Sequence, residues 1–193
     1  MTQPVAHVIA HPTSTVLKDC VRSLERHGWT YTVVAATQGN TVTDRTWTDI
    51  GVELRTTGKM LGRPGAQGCW ISHYRLWRKC VDTDLPITIL EHDALIQAPW
   101  PADLPNTQNL VKLYSTAECK QHPVYGLWSK GAHAYTITPQ QAAQLIQHSL
   151  AHGAEAVDKH LGSHVLDWCF YTQDLVVLNP GRGASTTSRC SLI

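Results

Sequence analysis

The chain has 193 residues, 42% of them hydrophobic and 16% charged, which is enough for one domain with a proper core. Its formal charge of +1 and pI near 7.7 exclude a global field aimed at nucleic acid or membrane. No apolar run approaches the roughly 20 residues that span a bilayer, and the opening MTQPVAHVIAHP carries no leader-like charged or long apolar region, so a cytoplasmic location is expected.

Val5 to Ala10 reads as a short apolar strand, followed by Pro12 and then Thr13 or Ser14 as a helix cap. Val16, Cys20, Val21 and Leu24 recur at helical spacing, and Gly28 ends that helix. The β-branched run from Thr30 to Ala36 predicts a second strand, and a strand-helix-strand opening fits an α/β sheet. Thr37 to Leu61 is polar and turn-rich, with weak strand character at Val52 to Leu54. The segment from Arg63, RPGAQGCW, reads as a glycine loop leading into a helix over Cys69 to Val81. Cys69, Leu76 and Cys80 form its apolar face, with Ser72 and His73 on or beside it and Arg75, Arg78 and Lys79 opposite.

Pro86 to Leu90 predicts a buried strand and Asn109 to Tyr114 another, with Pro99, Pro101 and Pro105 marking the loop between. Tyr125 to Thr138 suggests two short strands around a turn. Pro139 then opens a helix through Ala142, Leu145, Ile146 and Leu150 that Gly153 ends. Val157 to Leu166 reads as a short helix and Leu175 to Leu178 as a last strand. With no internal repeat and no linker, residues 1–180 are expected to form one α/β domain, a mixed sheet flanked by helices, with a flexible tail over 181–193. The terminal Cys190-Ser-Leu-Ile193 is only superficially a prenylation box, since isoleucine is not favoured there and little charge precedes it.

Six cysteines (Cys20, Cys69, Cys80, Cys119, Cys169, Cys190) show no CxxC pair and are read as free thiols in apolar segments. Seven Trp against one Phe is unusual; core and rim filling accounts for most of them.

The strand at Pro86 to Leu90 runs into Glu91-His92-Asp93. In an extended chain, period two puts Glu91 and Asp93 on one side and His92 on the other. Two carboxylates so placed suit a hard cation such as Mn²⁺ or Mg²⁺, which also takes phosphate oxygens. The competing reading is a pair of strand-end acids that cap the next element.

The surroundings favour the metal. Gly65-x-x-Gly68-Cys69-x-x-Ser72-His73-x-x-Leu76-Trp77, followed by Leu90-Glu91-x-Asp93-Ala94, resembles glycosyltransferase family 25, the lipooligosaccharide and collagen galactosyltransferases. Val111-Lys112-Leu113-Tyr114, Gly131 to Ala143 and Val157-Asp158 resemble later segments of that family in the same order. Ala66 stands where the family has Glu, and His92 replaces the central Asp of Glu-Asp-Asp.

The resemblance implies a GT-A-like (Rossmann-like) fold and an inverting, metal-dependent transfer from a nucleotide sugar, UDP-hexose above all, to an acceptor hydroxyl. Glu91 and Asp93 would hold the metal, and Asp158 would be the general base, with Glu155 and Asp167 as alternatives. His11, Lys59, Ser72, His73 and His92 are the expected donor-binding residues; for His73 a buried structural role competes. A glycan acceptor is favoured. Between Glu53 and Lys79, Arg55, Lys59, Arg63, Arg75, Arg78 and Lys79 stand with one acid, Glu53 itself, which makes a modified nucleobase in DNA an alternative acceptor. A degenerate, non-catalytic sugar- or nucleotide-binding module is the second alternative, motivated by His92 and Ala66.

Overall fold

The structure is a computed structural model and describes residues 3–55, 60–102, 104, 109–114, 119–171 and 174–182. Lys59, Cys190 and residues 183–193, most of the expected tail, lie outside the described residues.

The opening follows the sequence closely. β1 (Val5–Ala10) leads through α1 (Leu17–Arg26) to β2 (Tyr31–Ala35). Ser14 Oγ accepts from Leu17 N–H at 3.1 Å and so serves the start of α1, and Gly28 closes the far end at φ 69°. A short 3₁₀ turn (Gly39–Thr41) and α2 (Asp44–Ile50) follow, the latter within a stretch read as loop. Thr43 and Thr46 form a reciprocal cap at its start, and Gly51 at φ 68° ends it.

α3 runs over Pro64–Thr83, five residues earlier than expected. Pro64 sits in its first turn, so the glycines are helical and not a loop. Gly68 is required by contact: a Cβ there would lie 2.3 Å from Thr37 O and 2.8 Å from Gly39 N. Gly39 answers it, since its own Cβ would meet Pro64 O at 2.0 Å. The paired glycines let the helix backbone press against the loop leaving β2.

The remaining strands are β3 (Ile87–Glu91), β4 (Ala94–Ile96), β5 (Leu110–Lys112), β6 (Cys119–His122), β7 (Gly126–Ser129), β8 (Ala134–Ile137), β9 (Trp168–Phe170) and β10 (Val176–Leu178). α4 (Pro139–His152) and α5 (Val157–His160) stand between β8 and β9. The main sheet has order β2-β1-β3-β8-β5-β9, in which β8 alone runs against its neighbours. The two strands predicted over Tyr125 to Thr138 exist but do not pair with each other. β7 pairs with β6, while β8 is inserted between β3 and β5. Val52 to Leu54 forms no strand, only a bridge from Leu54 to Ala154.

Strand alternation sorts the core into two layers. Ile9, Ile87 and Ile89 pack with Trp70, Ile71 and Trp77 of α3 and with Leu145 of α4. Ala6, Val8 and Leu90 pack on the other face with Cys20 and Leu24 of α1 and with β4 and β10. Trp29, Trp47, Trp70 and Trp77 are buried, so these four serve the core. Cys20 and Cys80 are buried free thiols as expected, whereas Cys119 is exposed.

Candidate active site

The carboxyl edge of the sheet collects the charged residues. β1 and β3 are parallel, with Ile9 opposite Glu91, so the loop from His11 and the end of β3 emerge side by side. From β1 the chain crosses to β2 on one side, while β3 borders β8 on the other. Ligands of α/β sheets bind beyond the carboxyl ends of the strands at such a reversal. Because β8 is antiparallel, its amino end reaches the same edge, and Glu91 N–H donates to His133 O at 2.9 Å.

Glu91 has the parity of Ile87 and Ile89 and faces α3. There Cys69 and His73, four residues apart, share one helix face. His73 Nε2 lies 3.5 Å and Cys69 Sγ 3.9 Å from Glu91 Oε1. Behind them Trp77 Nε1–H donates to Tyr135 Oη at 2.9 Å, and Tyr135 Oη lies 2.8 Å from His73 Nδ1. An indole N–H can only donate, so Tyr135 Oη accepts from Trp77 and is shared with His73 Nδ1, while Nε2 of His73 faces Glu91. Burial pushes the Glu91 carboxyl up, yet His73 at 3.5 Å, with the further influence of His133 and His92, holds it below its ordinary value. Glu91 is thus kept ionised while 30% of its side chain remains exposed.

The extended-chain argument for Glu91-His92-Asp93 does not hold. β3 ends at Glu91 and residues 92–93 form a turn into β4, so period two no longer applies. All three residues are half-buried at the edge. His92 acts on Glu91 electrostatically. Asp93 acts on Cys69 of α3 and on Cys20 of α1, which places it between the two layers.

Asp158, in α5, comes to the same place. Its influence reaches Cys69, Lys112 and Tyr114, and Gly131 N–H donates to its carboxylate. Burial raises its pKa, against Lys159 N–H (3.0 Å to Oδ1), the charges of Lys159 and Lys112, and Gly131. The alternatives lie elsewhere. Glu155 is buried and held by Tyr125 Oη at 3.0 Å and Lys159 Nζ at 3.6 Å. Asp167 is exposed just before β9, at the opposite edge of the sheet.

Two expected donor contacts take structural roles. Ser72 is buried, accepts from Thr37 N–H at 2.8 Å and donates to Gly68 O at 2.7 Å. His73 is wholly buried and acts through Glu91. His11 remains at the edge, its Nδ1 2.9 Å from Thr13 Oγ1.

Sequence reading assigned no role to Tyr135, His133 or Lys112. Lys112 is fully buried, with Nζ donating to Ser129 Oγ at 2.7 Å and 4.1 Å above the Trp168 ring; burial lowers its pKa to about 8. A lone lysine in the apolar run Leu110 to Leu113 was the available signal.

The sequence profile of glycosyltransferase family 25 (LPS biosynthesis protein) matches residues 17–123, more than half of the chain. No curated protein sequence matches it. Among solved structures, the chain is similar to galactosyltransferase LgtC in complex with donor and acceptor sugar analogs, at 14% identity and a TM-score of 0.48, covering 86% of this chain and 72% of that one. It is also similar to the glycosyltransferase GlyE of Streptococcus pneumoniae TIGR4, at 13% identity and a TM-score of 0.48, covering 89% of this chain and 46% of that one. No helix among the described residues is long and apolar enough to cross a membrane. The profile, matched across β1's following helix to the β6 strand and including Gly68-Cys69-x-x-Ser72-His73 and Glu91-x-Asp93, identifies the chain as a member of glycosyltransferase family 25 and as a glycosyltransferase.

Proposed function

We propose that this enzyme transfers a hexose from a nucleotide-sugar donor, UDP-hexose above all, to a glycan hydroxyl with inversion, and that the transfer depends on a divalent metal. The observation that carries the reading is the convergence of Glu91, Asp93 and Asp158 at the carboxyl edge beside the ends of β1 and β3. Two half-buried acids, one held ionised by a buried histidine, suit a hard cation. Glu91 and Asp93 would hold Mn²⁺ or Mg²⁺, which would neutralise charge developing on the departing diphosphate.

This chain's own residues supply the rest. Asp158, whose pKa is raised by burial, would accept the proton of an attacking hydroxyl, and Lys159 and Lys112 favour its ionised form. His11 and His92, just past the carboxyl ends of β1 and β3, would contact the donor. Of the stretch behind the DNA alternative, Arg78 and Lys79 are exposed and helical geometry turns them away from Cys69 and His73, while Arg75 donates to Thr37 Oγ1 at 3.0 Å.

Thermal-shift screening of nucleotide sugars with and without Mn²⁺ tests the reading. A Mn²⁺-dependent rise with one donor, followed by release of its nucleoside diphosphate, supports it. Binding without release supports the degenerate module, and no shift with any nucleotide sugar contradicts both.

A further inference from the structure

Cys69, His73 and Glu91 bring three different ligand atoms together. The atoms all lie within 4.8 Å of one another, with Sγ 3.9 Å and Nε2 3.5 Å from Glu91 Oε1. A tetrahedral zinc-type ion has bonds of about 2.3 Å to sulfur and about 2.0–2.2 Å to nitrogen and oxygen, which sets neighbouring ligand atoms roughly 3.3–3.6 Å apart. The two contacts to Glu91 need shifts of a few tenths of an ångström, and Sγ and Nε2, within 4.8 Å of each other, need to close by up to about an ångström.

Two features of His73 point to an ion. Its ring is wholly buried, and Nε2 has no hydrogen-bond partner, the nearest acceptor being Glu91 Oε1 at 3.5 Å. Its Nδ1 is held 2.8 Å from Tyr135 Oη, the kind of outer contact that orients a metal-bound imidazole.

We propose that Cys69, His73 and Glu91 form a binding site for a borderline-soft divalent ion of the zinc class. The thiolate selects against Mg²⁺ and Mn²⁺, which prefer all-oxygen ligands. One thiolate and one carboxylate balance the ion's two charges, so no net charge is buried. On uptake the Cys69 S–H bond breaks, its proton leaves to solvent and a sulfur–metal bond forms. His73 binds through Nε2 as its Nδ1–H tautomer, with Nδ1–H donating to Tyr135 Oη. Three protein ligands leave one position open. The site stands on this geometry alone. Only its consequence rests on the proposed function: zinc draws Glu91 away from the hard cation and so antagonises transfer.

The test uses the full chain, stripped of metal with a chelator and titrated with Co²⁺, and it reads no transferase activity. The expected result is one equivalent of Co²⁺ with tetrahedral visible bands and a thiolate charge-transfer band in the near ultraviolet, displaced by Zn²⁺ and not by Mg²⁺. Cys69→Ser should lose the charge-transfer band, while Cys119→Ser, at an exposed thiol, should keep it. Glu91→Gln leaves the thiol in place and should weaken Co²⁺ binding by about tenfold or more. Absence of the band in the unmutated protein, its survival in Cys69→Ser, or unchanged affinity in Glu91→Gln would overturn the proposal.

Discussion

Tyr135→Phe removes one oxygen on which two buried groups depend. The ring stays packed in the core, but Trp77 Nε1–H and His73 Nδ1 lose their partner at 2.9 Å and 2.8 Å. Trp77 and His73 are both fully buried, so water cannot replace the hydroxyl. Each orphaned group costs about 1–3 kcal/mol, and the pair about 2–4 kcal/mol, allowing for partial relaxation. In a chain of 193 residues each kcal/mol lowers Tm by roughly 2–4 °C, giving a fall of roughly 5–15 °C. Urea denaturation followed by tryptophan fluorescence, alongside calorimetry, measures it, with the urea slope unchanged because the exposed surface is the same. A loss below about 0.5 kcal/mol would refute the assignment of Tyr135 as the shared partner.

Gly68→Ala should prevent α3 from seating against the loop after β2, because its Cβ would lie 2.3 Å from Thr37 O; the expected loss exceeds about 3 kcal/mol, read by Tm and soluble yield. His160 should drive acid unfolding. Its pKa is lowered from 6.5 to about 3, chiefly by burial, so the stability it contributes is complete above about pH 6.5 and falls as the pH drops towards 3. At pH 5 its share of the loss is about 2 kcal/mol, and that share should vanish in His160→Gln, while the share of His148, whose pKa burial lowers to about 4, remains. Lys112→Met removes a positive charge that favours ionised Asp158, so the acidic limb of the kcat/KM profile should move to higher pH; an unmoved limb would remove Asp158 from the base role.

Most of the fold was legible because its strands and helices carry one clear period each. β1, α1, β2, β3 and α4 fall within a few residues of where apolar spacing and the Pro and Gly boundaries put them. What failed had a physical reason. α2 buries only Trp47, so it has no apolar stripe, and its signals were the Thr43–Thr46 cap and Gly51. Gly65 and Gly68 suggested a loop because glycine disfavours helix, yet close backbone contact requires Gly68. Pairing of β8 between β3 and β5 depends on long-range order that local pattern does not contain.

In the candidate site, motif order singled out Glu91, Asp93 and Asp158. Their relation could not, because the turn at 92–93 replaces an extended chain. The locking of Ser72 by Thr37 and Gly68, and of Glu155 by Tyr125 and Lys159, exists only in three dimensions.

The central claim is that the acids at the carboxyl edge serve a metal-dependent transfer. Its most direct measurement is release of nucleoside diphosphate from a nucleotide sugar, with and without Mn²⁺, in the unmutated enzyme and in Glu91→Gln and Asp93→Asn. The account predicts Mn²⁺-dependent release that falls by about 10²-fold or more in both variants while their circular dichroism is unchanged. Release that is equally fast without metal, or equally fast in both folded variants, would contradict it.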